Sequence, residues 1–189
     1  MIPAHAVSDL TEKEYLEIEC QAEYKSEYFD GQMFAMSGAS RAHNLIVANL
    51  IISLGIQLKS SPCRVYPSDM RLKVRENGLY TYPDVTVVCD EEKFDDEQQD
   101  TLTNPLLIIE VLSKSTEAYD RGAKFAMYRQ LGSLAEYILV DQSQPLVEQY
   151  VRQEENHWLL SETKGTDAVV TLSAVNASLS LADIYDKVG

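Results

Sequence analysis

The strongest constraint on the fold is an apolar run at residues 105–112 that only Glu110 interrupts. A continuous run of this length is typical of a strand covered on both faces of a sheet. The elements predicted after it are a helix from Ser115 or Thr116 to about Leu131 and a buried strand at 137–140. Strand, helix and strand in this order predict a right-handed parallel crossover, and therefore an α/β fold.

Local signals place the elements that precede this run. A capping box that starts at Thr11 predicts a helix from about Glu12. Asp30-Gly31 lies between two apolar stretches, which is the pattern of a tight β-hairpin. Ser40 can cap a long helix through about Leu58, because apolar residues recur at helical spacing between them.

The remaining strands follow from alternation and turns. Strands are expected near 64–74 and, after an Asn77-Gly78 turn, at 79–88, where Pro83 moves the first half to an edge, an entry or a bulge. The C-terminal third predicts an antiparallel meander at 146–152, 158–163 and 168–172, and then a short helix capped at Ser180. Residues 1–189 are therefore expected to form one α/β domain with a mixed sheet.

The charge balance limits what the protein can bind. Its 189 residues carry 16 Lys and Arg against 30 Asp and Glu, a formal net charge of −14. Proteins that coat nucleic acid through bulk charge have an excess of basic residues, so any contact with DNA must be local or compensated by metal ions. Part of the acidity is concentrated at 90–100, which is most simply a solvated loop.

Cysteine usage and hydropathy indicate the compartment. The three cysteines, Cys20, Cys63 and Cys89, are widely spaced and odd in number, so neither structural zinc nor a disulfide scaffold is expected. No apolar run approaches the roughly 20 residues that cross a bilayer, and the first ten residues lack the features of a signal peptide. We therefore expect a cytoplasmic protein with no membrane partner.

Two acids in predicted strands carry the chemistry. Asp84 follows Tyr82-Pro83, and Glu110 lies inside the apolar run. A carboxylate in such a strand needs a cation, hydrogen bonds or a raised pKa. For one such acid alone, the plain alternative is a structural ion pair or a strand end that reaches solvent. Two carboxylates on neighbouring strands, with Lys124 on the next helix, suit Mg²⁺ or Mn²⁺ and the hydrolysis of phosphodiester bonds.

Several short segments, taken in order, resemble one family. They are Glu27-Tyr28-Phe29-Asp30-Gly31, Ser37 with His43, Pro67-Ser68-Asp69-Met70-Arg71, Tyr82-Pro83-Asp84-Val85, and Glu110-Val111-Leu112-Ser113 through Ser115-Thr116, Asp120, Lys124 and Tyr128. Their order and spacing resemble the Uma2-type restriction endonuclease family of the PD-(D/E)xK nuclease superfamily, over residues 10–186. The resemblance implies a restriction-endonuclease-like mixed sheet flanked by helices, a DNA substrate, and Asp84 and Glu110 as metal ligands.

The sequence departs from the superfamily at the catalytic lysine. Leu112 stands two residues after Glu110, where the superfamily carries Lys. The resemblance implies that the lysine has moved to the following helix, where Lys124 matches, whereas Lys114 is a poorer candidate. Asp120, Lys124 and Tyr128 are spaced to share one helix face, although an exposed Asp120–Lys124 pair with Tyr128 as packing gives the same spacing.

Five further residues are candidates for supporting roles, each with a structural alternative. Glu27 can be a third catalytic carboxylate or an anchor for Lys124, or else a solvated hairpin charge. Asp69 is a candidate metal ligand or supporting acceptor, or a turn cap. His43 can touch a phosphate or transfer a proton, or form a hydrogen bond at a helix start. Ser113 and Ser115 can position a phosphate or cap the helix.

The sequence thus predicts a divalent-metal-dependent endonuclease with DNA as the favoured substrate. The net charge and the displaced lysine motivate a rival, a catalytically silent nucleic-acid- or protein-binding module with the same fold. A third hypothesis is a metal-dependent hydrolase of a smaller phosphorylated compound, which predicts a closed pocket and not a groove lined by Lys and Arg. A homodimer would suit cleavage of both strands.

Overall fold

The structure is a computed structural model, and it describes residues 9–189. Its helices are α1 (Glu12–Glu19), α2 (Arg41–Gln57), α3 (Glu117–Tyr119), α4 (Phe125–Tyr128) and α5 (Leu181–Ile184), with a π-helical turn at Asp120–Lys124 and a 3₁₀ turn at Glu154–Asn156. Its strands are β1 (Ser26–Phe29), β2 (Gln32–Ala35), β3 (Cys63–Pro67), β4 (Arg71–Val74), β5 (Leu79–Thr81), β6 (Val85–Cys89), β7 (Thr101–Leu102), β8 (Leu107–Leu112), β9 (Glu136–Asp141), β10 (Leu146–Arg152), β11 (Trp158–Lys164), β12 (Val169–Leu172) and β13 (Ala177–Ser180).

The predicted apolar strand is central, as expected. β8 lies inside a six-stranded sheet of order β11-β10-β9-β8-β6-β3, antiparallel to β6 and parallel to β9. Helix α2 packs on one face against Ile109 and Val111, while α4 packs on the other face near Ile108. Because side chains alternate along a strand, Glu110 shares the face of Ile108 and Leu112, which α4 covers. The mixed α/β fold class is confirmed.

Pro83 separates two sheets. β5 belongs to a five-stranded sheet of order β2-β1-β5-β4-β7, whereas β6 belongs to the six-stranded sheet. Proline lacks the N–H that a ladder requires, so the predicted strand at 79–88 is divided at residues 82–84. Asp84 therefore lies where the chain crosses from one sheet to the other.

Local signals located the N-terminal elements correctly. The capping box is complete, since the Thr11 N–H donates to Glu14 Oε2 at 2.8 Å and the Glu14 N–H donates to Thr11 Oγ1 at 3.2 Å. The hairpin turns through Asp30 and Gly31, at φ 48° and 76°. Positive φ at both positions matches the turn that follows the twist of a β-ribbon.

Three expectations require correction. The helix expected to reach Leu131 ends at Tyr128 and contains a π turn. The third predicted meander strand, β12, pairs with β13 and not with β11, and this separate two-stranded sheet packs Val170 and Leu179 into the core with α2. Cys63 and Cys89 are directly opposed on β3 and β6 and form a disulfide, although their spacing of 26 residues gave no signal of pairing.

The acidic loop is not merely solvated. Asp95 accepts hydrogen bonds from Lys73 at 2.9 Å and Arg75 at 3.1 Å, and Asp100 accepts one from Arg71 at 2.6 Å. The loop therefore neutralises much of the basic charge of β4 and the turn that follows it. In residues 9–189, no helix is both long and apolar enough to cross a membrane.

A buried acid in the core gives a stability prediction. Glu136 is fully buried, and its Oε1 accepts the Ala174 N–H at 3.1 Å, while its Oε2 has no hydrogen-bond partner among the described residues. Burial raises the pKa of Glu136, against the opposing backbone N–H groups of Ala174 and Ser173. The folded state therefore holds this proton more tightly than the unfolded chain, and the associated stability is lost as pH rises through the folded pKa.

We expect Glu136→Gln to stabilise the protein by about 1 kcal/mol near pH 8, because it removes a buried ionisation while keeping the acceptor for Ala174. The difference should vanish below the ordinary carboxyl pKa, where the wild-type side chain is also neutral. Urea denaturation at several pH values measures it, with exposed Glu154→Gln as the control. A Glu136→Gln difference that does not change with pH would contradict the assignment.

Candidate active site

The two strand acids meet at the junction between the sheets. Val85 on β6 pairs with Ile109 on β8, which places Asp84 beside Glu110. The Asp84 Oδ2 accepts the Val111 N–H at 2.7 Å, and the Asp84 N–H points to Glu110 Oε2 at 3.4 Å. Backbone pairing therefore fixes both acids. Asp84 lies directly before β6, and Glu110 lies on the face of β8 that α4 covers.

Lys124 lies at the centre of the site, in contact with three carboxylates. Its Nζ lies 2.9 Å from Glu27 Oε1, 2.9 Å from Glu110 Oε1 and 3.9 Å from Asp120 Oδ1. The lysine side chain is only 7% exposed. The alternative of an exposed Asp120–Lys124 pair is therefore wrong, because the ammonium is buried among three carboxylates contributed by β1, β8 and the π turn.

Two hydroxyl groups complete the hydrogen bonding of these carboxylates. Tyr128 is fully buried, and its hydroxyl donates to Glu110 Oε1 at 2.8 Å. Thr81 Oγ1 donates to Glu27 Oε1 at 2.5 Å. Tyr128 thus does more than fill space: it fixes the carboxylate that Lys124 also contacts.

The π turn brings Asp120 and Lys124 inward together. Both residues are buried. The segment Asp120–Lys124 is a π-helical turn, which is wider than an α-helical turn because its backbone hydrogen bonds span five residues. The Tyr137 hydroxyl donates to the Asp120 carbonyl at 3.1 Å, which gives that backbone oxygen a partner. Insertions of this kind inside α-helices frequently occur at functional sites.

His43 forms the hydrogen bond expected at a helix start and also contacts Asp84. Its backbone N–H donates to Ser40 Oγ at 3.1 Å in the cap of α2, and its Nε2 lies 3.0 Å from Asp84 Oδ1. Burial lowers the pKa of His43, but the hydrogen bond and charge of Asp84 outweigh it and raise the pKa overall. The imidazole therefore supports the outer oxygen of Asp84 from the α2 side.

Carboxylates outnumber cations in this cluster. Glu27, Glu110 and Asp120 lie around the single ammonium of Lys124, and Asp84 adjoins Glu110. Burial raises the pKa of Glu110 to about 8, with the charges of Asp84 and Asp120 adding to the rise and Lys124 opposing it. Burial lowers the pKa of Lys124, yet Glu110 and Glu27 raise it well above the usual range, so the amine stays protonated.

The donor set fits a hard divalent cation. In the described part of the chain, no group of three or more His, Cys, Asp and Glu side chains is arranged so that it could hold a metal ion. Magnesium, however, commonly uses only one or two protein carboxylates and takes its other ligands from water and substrate phosphate. Asp84 and Glu110 supply two such carboxylates in a cluster with excess negative charge, so a dication would be favoured there.

A cavity of about 720 Å³ opens over this cluster. Ser113 and Ser115 line it, joined to each other through a 2.9 Å hydrogen bond, while Ser113 Oγ also accepts the Thr116 N–H at 3.3 Å as a helix-start contact. Lys114 is exposed and does not line the cavity. Both serine candidates are thus placed at the cavity, and the alternative lysine is not.

Asp69 does not join the other predicted ligands. It is 88% exposed, and its Oδ1 lies 2.9 Å from Lys25 Nζ. It lines a neighbouring pocket instead of the cavity that contains Asp84. The expectation of a metal ligand at Asp69 is not met by its position, because the turn after β3 directs the carboxylate to the solvent and to Lys25.

Two residues at the site, Thr81 and Phe34, were not singled out from the sequence. Thr81 comes close to Glu27 because Tyr28 pairs with Tyr80, one residue away on each strand. Phe34 is directly opposite Glu27 in the β1–β2 hairpin. The Asp30-Gly31 turn fixes the register of the hairpin, so the position of Phe34 opposite Glu27 could have been predicted from the sequence. The pairing of β1 with β5, which places Thr81, could not.

Comparison with known proteins identifies similar chains. A model of the Uma2 family, described as "Putative restriction endonuclease", matches residues 12–183. The uncharacterized Synechocystis sp. proteins sll1609 and slr1290 are 42% and 34% identical over 164 and 183 residues, which cover 87% and 97% of this chain and 93% and 95% of theirs. These matches span most of the chain and include all the residues of the cluster around Lys124.

A solved structure also shares the architecture. The crystal structure of "a putative nuclease belonging to DUF820" from Anabaena variabilis matches with a TM-score of 0.75 at 20% identity, over 95% of this chain and 99% of that one. At this identity the likeness shows the fold. The mixed sheet flanked by helices that the sequence resemblance implies is therefore confirmed.

Proposed function

The chain belongs to the Uma2 family, and from this premise we propose that it is a divalent-metal-dependent endonuclease that hydrolyses phosphodiester bonds in DNA. The observation that carries the proposal is the convergence of Glu27, Glu110 and Lys124 beside Asp84 in one cavity. Family membership supports nuclease activity. The carboxylate cluster supports metal dependence, and DNA follows from the resemblance to restriction endonucleases.

Asp84 and Glu110 are the proposed ligands of Mg²⁺ or Mn²⁺. When bound, the cation supplies Lewis acidity and lowers the pKa of a coordinated water. His43 supports Asp84 through Oδ1, and the Val111 N–H holds the other oxygen, so the carboxylate is oriented before any ligand arrives. Tyr128 does the same for Glu110.

Lys124 acts as a cation and not as a base, because its surroundings keep it protonated. A buried ammonium at this position can donate a hydrogen bond to the attacking water and stabilise the charge that develops on the phosphate. Glu27 and Thr81 hold it in place from the β1–β5 side. This placement supports an enzyme over the silent binding module, since the lysine missing after Glu110 is replaced in space.

Metal removal tests the proposal on the wild-type protein. We expect EDTA to abolish nicking of supercoiled plasmid, and Mn²⁺ or Mg²⁺ to restore it. Binding to the folded state should also raise the free energy of unfolding, by about 2.7 kcal/mol at a Mn²⁺ concentration 100 times its Kd. Cleavage that persists in EDTA, together with a stability unaffected by Mn²⁺, would refute metal dependence.

A second candidate function is hydrolysis of a smaller phosphodiester. The charged side chains that line the cavity, within residues 9–189, include only two lysines, Lys25 and Lys124, and so do not form the basic groove expected for a long duplex. Thymidine p-nitrophenyl phosphate distinguishes the two functions. An oligonucleotide cleaved with a far higher kcat/KM than this compound supports the nuclease, and the reverse order supports the smaller substrate.

A further inference from the structure

Every exposed Phe, Tyr or Trp side chain among residues 9–189 lines the cavity over the carboxylate cluster. They are Tyr24, Phe34 and Tyr119, with exposed fractions of 65%, 42% and 37%. The other exposed large hydrophobic residues are all aliphatic. Exposed aromatic rings are costly to leave in water, so their concentration around one cavity indicates a ligand that covers them.

The three rings are tied to the site by geometry. Phe34 is the cross-strand partner of Glu27, so both side chains stand on the same face of the hairpin. The Tyr119 ring centroid lies 6.0 Å from Lys124 Nζ. Tyr24 precedes Lys25, whose ammonium lies 5.5 Å from the ring of Tyr82, two residues before Asp84. A chain whose phosphate reached the cluster would therefore pass these rings.

The same cavity is poor in positive charge. Its acidic and basic lining side chains are four carboxyl groups, two lysines and His43, and both lysines already contact carboxyl groups at 2.9 Å. Proteins that hold duplex DNA neutralise about 6–10 phosphates with Lys and Arg. Single strands, by contrast, are bound largely by stacking of unpaired bases on aromatic rings, which every base can do.

We propose that the substrate enters this site as an unpaired strand, with bases stacked on Tyr24, Phe34 and Tyr119 and a phosphodiester presented to Asp84 and Glu110. The inference rests on the proposed nuclease function and specifies its substrate class. Stacking on the three rings would contribute the binding free energy that lysine–phosphate contacts contribute in proteins that hold duplex DNA. An aromatic ring can stack on a base without an excess of positive charge. Duplex DNA is then a substrate only where its strands separate, at gaps, forks, frayed ends or the transiently unpaired regions of a supercoiled plasmid.

Binding without turnover tests this directly. The wild-type protein, with Ca²⁺ in place of Mn²⁺, is titrated into dye-labelled oligothymidylate, the corresponding duplex and oligouridylate, and fluorescence anisotropy is recorded. We expect oligothymidylate to bind at least about tenfold more tightly than the duplex. With two lysines available, the slope of log K against log salt should be no steeper than about −1.5. Oligouridylate that binds as well would extend the same stacking surface to RNA.

Ring variants identify the surface. Phe34→Ala, Tyr24→Ala and Tyr119→Ala should each weaken oligothymidylate binding about 5- to 100-fold, and Phe34→Trp should retain it. Exposed Ile52→Ala on α2, outside the cavity, is the matched control. The alanine variants all truncate exposed side chains, and thermal unfolding of each variant checks that the fold is retained.

The outcomes separate this inference from the proposed function. Duplex binding equal to single-strand binding, or alanine variants that bind like the wild type, would overturn the stacking proposal even if plasmid cleavage is observed. Tight single-strand binding that depends on the rings, but without cleavage in Mn²⁺, would support the stacking surface while the nuclease assignment fails.

Discussion

Glu110→Gln is expected to lower metal-dependent DNA cleavage by about 10³-fold and to weaken Mn²⁺ binding in parallel. The change removes the charge that attracts the cation but keeps an oxygen to accept the Tyr128 hydroxyl, now 2.8 Å from Glu110 Oε1. The magnitude corresponds to the loss of one electrostatic element of a transition-state site. Since burial raises the pKa of Glu110 to about 8, a neutral side chain should be tolerated by the fold.

Two aspartates provide a matched comparison for this prediction. Asp84→Asn removes a charge beside Glu110 and should produce a similar loss of cleavage and of Mn²⁺ affinity. Asp69→Asn makes the same chemical change at a carboxylate that lies outside the cavity and contacts Lys25, so it should leave both properties unchanged. Full cleavage by both Glu110→Gln and Asp84→Asn would remove the basis for the proposed metal site. Cleavage lost in Asp69→Asn would show that the ligand set extends beyond the cavity.

Sequence reasoning succeeded where a local signal carries the geometry. The Thr11 capping box, the Asp30-Gly31 turn and the Ser40 cap each specify a hydrogen bond within a few residues, and the structure contains all three elements. The π turn at Asp120–Lys124 was missed, because no residue type marks it and its stability depends on tertiary partners such as Tyr137. Pro83 predicted an interruption of the strand at 79–88, but not that the two halves belong to different sheets.

For the site, the family resemblance identified residues that the structure then brings together. Composition and spacing alone favoured an exposed Asp120–Lys124 pair; burial by β1 and β8, which are far away in the sequence, decides otherwise. The prediction that Asp69 binds metal likewise depended on contacts between residues far apart in the sequence, and the structure leaves this side chain exposed. Its neighbour in space, Lys25, is 44 residues distant, and nothing in the turn after β3 tells which way the side chain points.

Lys124→Met is expected to destabilise the protein by about 3–5 kcal/mol, the usual effect of removing one member of a buried ion pair. Its ammonium contacts Glu27 and Glu110, both at 2.9 Å, and in the variant these buried acids must either stay ionised without a counter-charge or take up protons. Urea denaturation at neutral pH measures the change. Cleavage should also be lost, since methionine cannot donate a hydrogen bond to water or phosphate.

A second lysine supplies the control for burial. Lys25 Nζ also lies 2.9 Å from a carboxylate, but its partner Asp69 is largely exposed, so Lys25→Met should cost less than about 1 kcal/mol. Combining Lys124→Met with Glu110→Gln removes one uncompensated charge and should recover part of the lost stability without recovering cleavage. That pattern would separate the two contributions of Lys124, one to the fold and one to the chemistry. A Lys124→Met variant as stable as Lys25→Met would show instead that the buried carboxylates are neutralised without the ammonium, and the charge balance proposed for the site would be wrong.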